Sequence, residues 1–214
     1  MQKIFNIIKY LTIPLILGSS LLAHAGMQTQ EMLSASVRAN LSRAVSDQGV
    51  SKSIFSSPTE ERRWLDTMGS KLMKSFPVRA EREDFLRTVH YEATRAGLDP
   101  QMVLGLIQVE SGFKKYAVSY ASARGYMQVM PFWVKDIGTP DMSLFNLRTN
   151  LRFGCTIMRH YLDIERGNLY RALGRYNGSL GRPEYPNMVL AAWKRSWDVP
   201  VARTAMNESG IQAN

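Results

Sequence analysis

Apolar residues recur at three- and four-residue spacing through most of this chain, and Pro, Gly and Asx residues punctuate them where helices begin and end. From residue 26 to 56 the pattern is weak. Met32, Val37, Leu41 and Val45 stand in a polar, Ser-rich stretch that reads as a helical arm or a partly ordered extension. Ser57-Pro58-Thr59-Glu60 is a firmer start: an N-cap, a proline at the first helical position and a glutamate placed to close a capping box. Trp64, Leu65, Met68, Leu72 and Phe76 follow as a core stripe. A second helix is predicted over Ala80–Ala96, with Phe85, Val89 and Ala93 on one face and Gly97 as terminator. Asp99-Pro100 caps and opens a third, which runs through Met102-Val103-Leu104-Gly105-Leu106-Ile107 to Glu110. Residues 113–125 read as a loop, and a short helix starts near Pro131 and fades before Gly138-Thr139-Pro140. Asn146–Glu165 forms a long amphipathic helix stopped by Gly167. Leu169–Arg175 is a short helix, residues 177–183 are loop, and Pro186–Trp197 is a last helix. No alternating run bounded by turn residues is present, so the fold class is all-α.

The first residues break this globular pattern. Lys3 and Lys9 precede an apolar stretch from Tyr10 to Leu22, and Ala23-His24-Ala25 offers small residues at the two specificity positions of a cleavage site. This is the layout of a secretory signal peptide. The apolar run, interrupted by Pro14 and Gly18, is short for a membrane span of roughly 20 residues. Cleavage places the mature N-terminus near Gly26 and the mature protein in the periplasm. The formal charge of the 214-residue chain is +9, and removing Lys3 and Lys9 lowers it by two. A basic exported protein suits an anionic polymer or a membrane surface. Nucleic acid does not fit export, and the Arg and Lys residues are scattered rather than run together.

The single cysteine, Cys155, excludes an internal disulfide. It shares a helical face with Leu147, Leu151, Met158 and Leu162 and reads as a small buried hydrophobe. His90 and His160 have no ligand-like spacing to cysteines or carboxylates, so neither a metal nor a cofactor is expected.

The chemistry concentrates in residues 110–131. Glu110 ends an apolar helix and is followed by Ser111-Gly112-Phe113, then Ser119, then Gly125-Tyr126-Met127-Gln128-Val129-Met130-Pro131. A carboxyl in apolar surroundings resists ionisation, and the negative end of the helix dipole pushes the same way. A carboxyl that keeps its proton at neutral pH can protonate the leaving group of a glycosidic bond. No second acid lies between Glu110 and Met130.

Glu-Ser-Gly-Phe, Ser119, Gly-Tyr-Met-Gln-Val-Met-Pro and Tyr176-Asn177, in this order and spacing, resemble the lytic transglycosylases of the soluble-transglycosylase (SLT) type over roughly Ala80 to Trp197. The resemblance implies a goose-type-lysozyme-like helical domain that cleaves peptidoglycan glycan strands. It divides the chain into a signal peptide (1–25), an N-terminal helical extension (26–75), the transglycosylase domain (76–200) and a tail (201–214). It implies Glu110 as the single catalytic acid, which then serves as base while the muramic C6 hydroxyl closes on C1 to a 1,6-anhydro sugar.

The resemblance further implies that Ser119 meets the substrate N-acetyl group and that Gln128 and Met130 line the cleft. Tyr176 would hydrogen-bond Glu110 or support charge near the anomeric carbon, with Asn177 beside it and Glu184 ahead of the last helix. Read alone, Ser119 is a plain loop serine, Tyr176 a structural tyrosine and the methionines core filler. Tyr126 in place of Leu, Ser122 in place of Gly and Gly178-Ser179 in place of Ala-Gly depart from the family pattern and bear on stem-peptide preference. The expected partners are the glycan strand and a cell-envelope assembly protein, and the chain is expected to be a monomer. The alternatives are a goose-type muramidase, which yields reducing ends, and a non-catalytic wall-binding or assembly protein.

Overall fold

The computed structural model describes Gln28, residues 30–46 and residues 54–200. The signal peptide expected over 1–25 and the tail over 201–214 lie outside the described residues. The helices are α1 (Ala35–Ser46), α2 (Pro58–Leu72), α3 (Arg79–Arg95), α4 (Pro100–Ser111), α5 (Pro131–Ile137), α6 (Leu147–Ile164), α7 (Leu169–Asn177) and α8 (Glu184–Ala192), and α8 runs on into a π-helical turn, Trp193–Trp197. Among the described residues there is no strand, only isolated bridges joining Arg124 to Val118 and Val129. The all-α class follows from the spacing. No described helix is long and apolar enough to cross a membrane.

The caps act as local chemistry requires, with one difference. Asp99 accepts from the backbone N–H of Gln101 and Met102 at 2.7 and 3.2 Å and starts α4. Ser57 accepts from the N–H of Glu60 at 3.1 Å. Glu60, however, reaches back to the N–H of Ser56 at 2.9 Å rather than to the cap itself, so the box closes one residue further out. Two helix ends also differ from expectation. α7 continues to Asn177 because Gly178, at φ +78°, caps it by donating to the Arg175 and Gly174 carbonyls. The last helix begins at Glu184 rather than Pro186, which places Tyr185 in its first turn.

α4 is the axis of the fold. Six successive residues from Met102 to Ile107 are buried, so the helix is enclosed on all sides. It packs against α8 and the π-turn, with α3 on a further side. Gly105 permits this approach, since a Cβ there would stand 2.9 Å from the Trp193 backbone nitrogen. α6 packs on α3 and α7 and carries Cys155, which is buried as expected; burial pushes its thiol up, away from reactivity.

Between α3 and α6 lies an ion pair that periodicity did not suggest. Arg152 and Glu92 are 4 % and 2 % exposed, and the guanidinium meets the carboxylate at 2.8 Å. The N-terminal extension is tied down ahead of α1. Gln28 is buried and accepts from the Trp133 indole at 2.8 Å, while Glu31 pairs with Arg175 at 3.0 Å.

Candidate active site

Glu110 sits in the last turn of α4. Gly112, in the left-handed conformation at φ +57°, ends the helix and donates to the Gln108 carbonyl. Ser111 then fastens the helix end to the following loop, donating to the Tyr126 carbonyl at 2.7 Å. The Glu110 carboxyl is therefore held by rigid backbone on both sides. It is 7 % exposed. The Tyr185 hydroxyl donates to Oε1, and Oε2 is buried with no hydrogen-bond partner among the described residues. Burial pushes the carboxyl pKa up to about 8, against the opposing pull of the Tyr185 hydrogen bond. At neutral pH Glu110 holds its proton, and one of its oxygens is left for an incoming group.

Tyr185 is the residue that sequence reasoning missed. It occupies the first turn of α8 on the same face as Val189 and Ala192, both buried, at helical spacing. That stripe packs α8 against α4 and carries the hydroxyl to Glu110. Starting the last helix at Glu184 and tracing its apolar face would have found it.

Tyr176 is fully buried near the same carboxyl, and burial and the Glu110 charge both push its hydroxyl pKa up. Its hydroxyl does not bond Glu110, however. It donates to the Met127 carbonyl at 2.7 Å and so anchors the loop that carries Gln128. Glu110, Tyr176 and Tyr185 form one buried cluster where α4, α7 and α8 meet.

The loop between α4 and α5 is clipped from beneath by Asn150 of α6. That side chain accepts from the Met127 N–H at 2.8 Å and donates to the Arg124 and Leu144 carbonyls at 2.8 and 2.9 Å. Gly125, at φ +76°, makes room for it, because a Cβ would lie 2.4 Å from the Asn150 amide nitrogen. The glycine thus serves the approach of Asn150 as well as the loop's turn. Gln128 takes a left-handed conformation at φ +48° and is buried, its amide donating to the Ala117 and Gly125 carbonyls at 3.1 and 3.0 Å.

The remaining candidates are dispersed around this centre. Met130 is half-buried and caps α5, and Asn177 is buried at the end of α7. Ser119 is half-buried, with its hydroxyl accepting from the Ala123 N–H at 3.1 Å. Glu184 is exposed beside Tyr185. No bond among the described residues joins Ser119 or Glu184 to the Glu110 cluster. Nor does any group of three or more His, Cys, Asp or Glu there have the geometry to hold a metal.

Residues 87–185, which contain this whole cluster, match the model of the transglycosylase SLT domain. The chain carries a transglycosylase SLT domain. Three relatives of the domain, each called membrane-bound lytic murein transglycosylase C, illustrate the similarity. The protein of Glaesserella parasuis serovar 5 (strain SH0165) is 50 % identical over 120 residues, covering 49 % of this chain and 32 % of the relative. That of Actinobacillus pleuropneumoniae serotype 5b (strain L20) is 38 % identical over 120 residues, covering 49 % and 33 %. That of Histophilus somni (strain 2336) is 40 % identical over 99 residues, covering 40 % and 27 %. The chain therefore spans about a third or less of these relatives' length. The SLT domain has the helical, lysozyme-like architecture that the motif resemblance implies, and its match ends on Tyr185, the hydrogen-bond donor to Glu110.

Proposed function

We propose that this protein is a lytic transglycosylase of the cell envelope that cuts the β-1,4 bond between N-acetylmuramic acid and N-acetylglucosamine in peptidoglycan. The observation that carries the reading is Glu110: a buried carboxyl, protonated at neutral pH, with one oxygen held by Tyr185 and the other unpartnered, inside an SLT domain. Glu110 gives its proton to the glycosidic oxygen as the C1–O bond breaks. The resulting carboxylate, which the Tyr185 hydroxyl stabilises, takes the proton of the muramic C6 hydroxyl as that oxygen bonds C1. The carboxyl is regenerated, no water is consumed, and the product ends in a 1,6-anhydro sugar.

In this reading the muramic N-acetyl group supports the charge at C1, and Ser119 lies towards that group. Gln128, Met130 and Asn177 shape the cleft wall, Tyr176 holds the Met127–Gln128 backbone under Glu110, and Glu184 stands at the rim. No metal or cofactor takes part. The relatives' description as membrane-bound murein enzymes and the leader pattern of the first 25 residues support an envelope location, in the periplasm. The division into leader, helical extension, transglycosylase domain and tail is part of the same proposal.

Mass analysis of the soluble products released from purified sacculi tests the reading. Anhydromuramic ends are expected. Reducing muramic ends would make the protein a muramidase, and no release by the folded protein would leave a wall-binding module.

A further inference from the structure

The N-terminal extension reaches the Glu110 cluster from outside the SLT match, which begins at residue 87. Its helix α1 packs on α5 and α6. Ahead of α1, Gln30 donates to Asp136 of α5 at 3.1 Å, and Glu31 pairs with Arg175 of α7 at 3.0 Å. The extension is thereby fastened to α5, which continues the site loop, and to α7, whose Tyr176 anchors that loop. Gln28 precedes these contacts and is 5 % exposed.

Donors and acceptors around Gln28 line up in one direction. The Trp133 indole N–H donates to the Gln28 side-chain oxygen at 2.8 Å. An indole nitrogen can only donate, so the Gln28 oxygen faces Trp133 and its NH2 group faces away. That nitrogen is buried and has no close hydrogen-bond partner among the described residues. It lies beside the Tyr176 hydroxyl: burial and the Glu110 charge push that hydroxyl's pKa up, and the Gln28 amide pulls it down. Tyr176 has already committed its own proton to the Met127 carbonyl at 2.7 Å, which leaves its oxygen to accept. Trp133 holds the other end of the same segment, because its backbone N–H donates to the Met130 carbonyl at 3.1 Å.

We infer that Gln28 is a positioning residue for the Glu110 reaction: its amide links Trp133 to Tyr176, the residues that hold the two ends of the Met127–Met130 segment, and so fixes the backbone that carries Gln128. The inference rests on the proposed reading of the Glu110 site and adds to it a residue from the N-terminal extension. Gln128 needs such support, since its φ of +48° is a conformation that a residue with a side chain keeps only where its surroundings hold it. A glutamine suits the place. It offers an acceptor on one side and donors on the other, and a linked chain of hydrogen bonds is stiffer than its separate members. It also adds no charge beside the buried Glu110 carboxyl.

Gln28→Met keeps the length of the side chain and removes both of its polar ends. On solubilised glycan strands, well below the melting temperature, kcat should fall about five- to ten-fold, the scale of one hydrogen bond. KM should stay in place, a split that a glutamine serving the fold alone would not produce. Tyr176→Phe breaks the same chain one link further on, so Gln28→Met made in that background should lower kcat less than it does in the wild type. In isotope-labelled protein, the Trp133 indole N–H and the Met127 and Gln128 amide resonances should shift together in Gln28→Met. If Gln28→Met does not fold, Gln28→Asn, which keeps the amide but withdraws it by one methylene, carries the same measurements.

An unchanged kcat, or a loss of the same size with and without Tyr176→Phe, overturns the positioning role while leaving lytic activity standing. Unmoved Met127 and Gln128 resonances overturn it as well. A wild-type chain that releases nothing from sacculi overturns the reading of Glu110, and the resonances still decide whether Gln28 sets the Met127–Met130 backbone.

Discussion

Tyr185 donates its hydroxyl to one oxygen of Glu110 across 75 residues of sequence, while the other oxygen of the same carboxyl is buried without a hydrogen-bond partner among the described residues. The two oxygens are therefore unequal. One is committed to holding the group in place and favours its ionised form; the other lies in surroundings that favour the neutral form. An acid that must give up a proton and take one back needs both influences, and their balance sets the carboxyl near 8.

Replacing Glu110 by Gln keeps the shape and removes the proton that can be donated. Muropeptide release from sacculi should fall by roughly 10² to 10⁴. A folded variant that retained more than about a tenth of wild-type release would take the acid–base role away from Glu110.

The same substitution should stabilise the protein. The folded carboxyl titrates near 8 against 4.5 for an unperturbed one, so between these values the folded state holds more protons than the unfolded state and stability falls as pH rises. Below about 4.5 the group is neutral in both states and makes no difference. Above about 8 the cost of burying the charge is complete, on the order of a few kcal/mol at about 1.4 kcal/mol per pH unit. Urea unfolding of wild type and Glu110→Gln at pH 4, 6 and 9 should show a gap that opens with pH. A gap constant across the series would mean that burial does not shift this carboxyl.

Tyr185→Phe removes the hydrogen bond that favours the Glu110 carboxylate. The Glu110 limb of the pH–rate profile should move to higher pH, and kcat should drop by roughly ten- to a hundred-fold, the worth of a hydrogen bond to a charged group. An unmoved limb would show that the hydroxyl does not act on the carboxyl.

Tyr176→Phe should act differently. It strips the Met127 carbonyl of its 2.7 Å partner in a fully buried place, and the expected cost is about 1–3 kcal/mol of stability. The Glu110 limb should stay in place. If Tyr176→Phe instead shifted that limb with no loss of melting temperature, its hydroxyl would belong to the reacting centre rather than to the loop anchor.

Arg152→Ala leaves the buried Glu92 carboxylate with Arg95 alone, at 3.6 Å, and should cost about 3 kcal/mol in urea unfolding, the low end for breaking a buried pair. Exchanging both partners for apolar residues, as in Glu92→Leu/Arg152→Met, should recover most of that loss. A single variant as stable as the wild type would mean that Arg95 suffices to hold Glu92.

The helices were legible because their signals are local. The Asp99-Pro100 start, the Gly97 and Gly167 stops and the three- and four-residue spacing of α6 need only neighbours along the chain. The apolar run of α4 likewise placed Glu110 at the end of a buried helix. The misjudged boundaries sit where a distant contact or a following glycine tips a marginal turn. Gly178 lets α7 carry on to Asn177, and the packing of Tyr185 on α4 favours an earlier start for α8.

Sequence by itself determined the helical class, the identity of the candidate acid and the short-range order of the Glu110–Pro131 motif, because propensity, capping and periodicity act over a few residues. It could not decide which side chain faces that acid. Tyr176 and Tyr185 are both aromatic, both on short helices and both buried. Only the angle at which α7 and α8 meet α4 sends one hydroxyl to Met127 and the other to Glu110. The same holds for Glu92 and Arg152, whose pairing needs α3 and α6 to press matching faces together. Hydrogen bonds and buried charges are satisfied by whatever lies within about 3 Å, and which groups come that close is a property of the packed helices rather than of the order of residues.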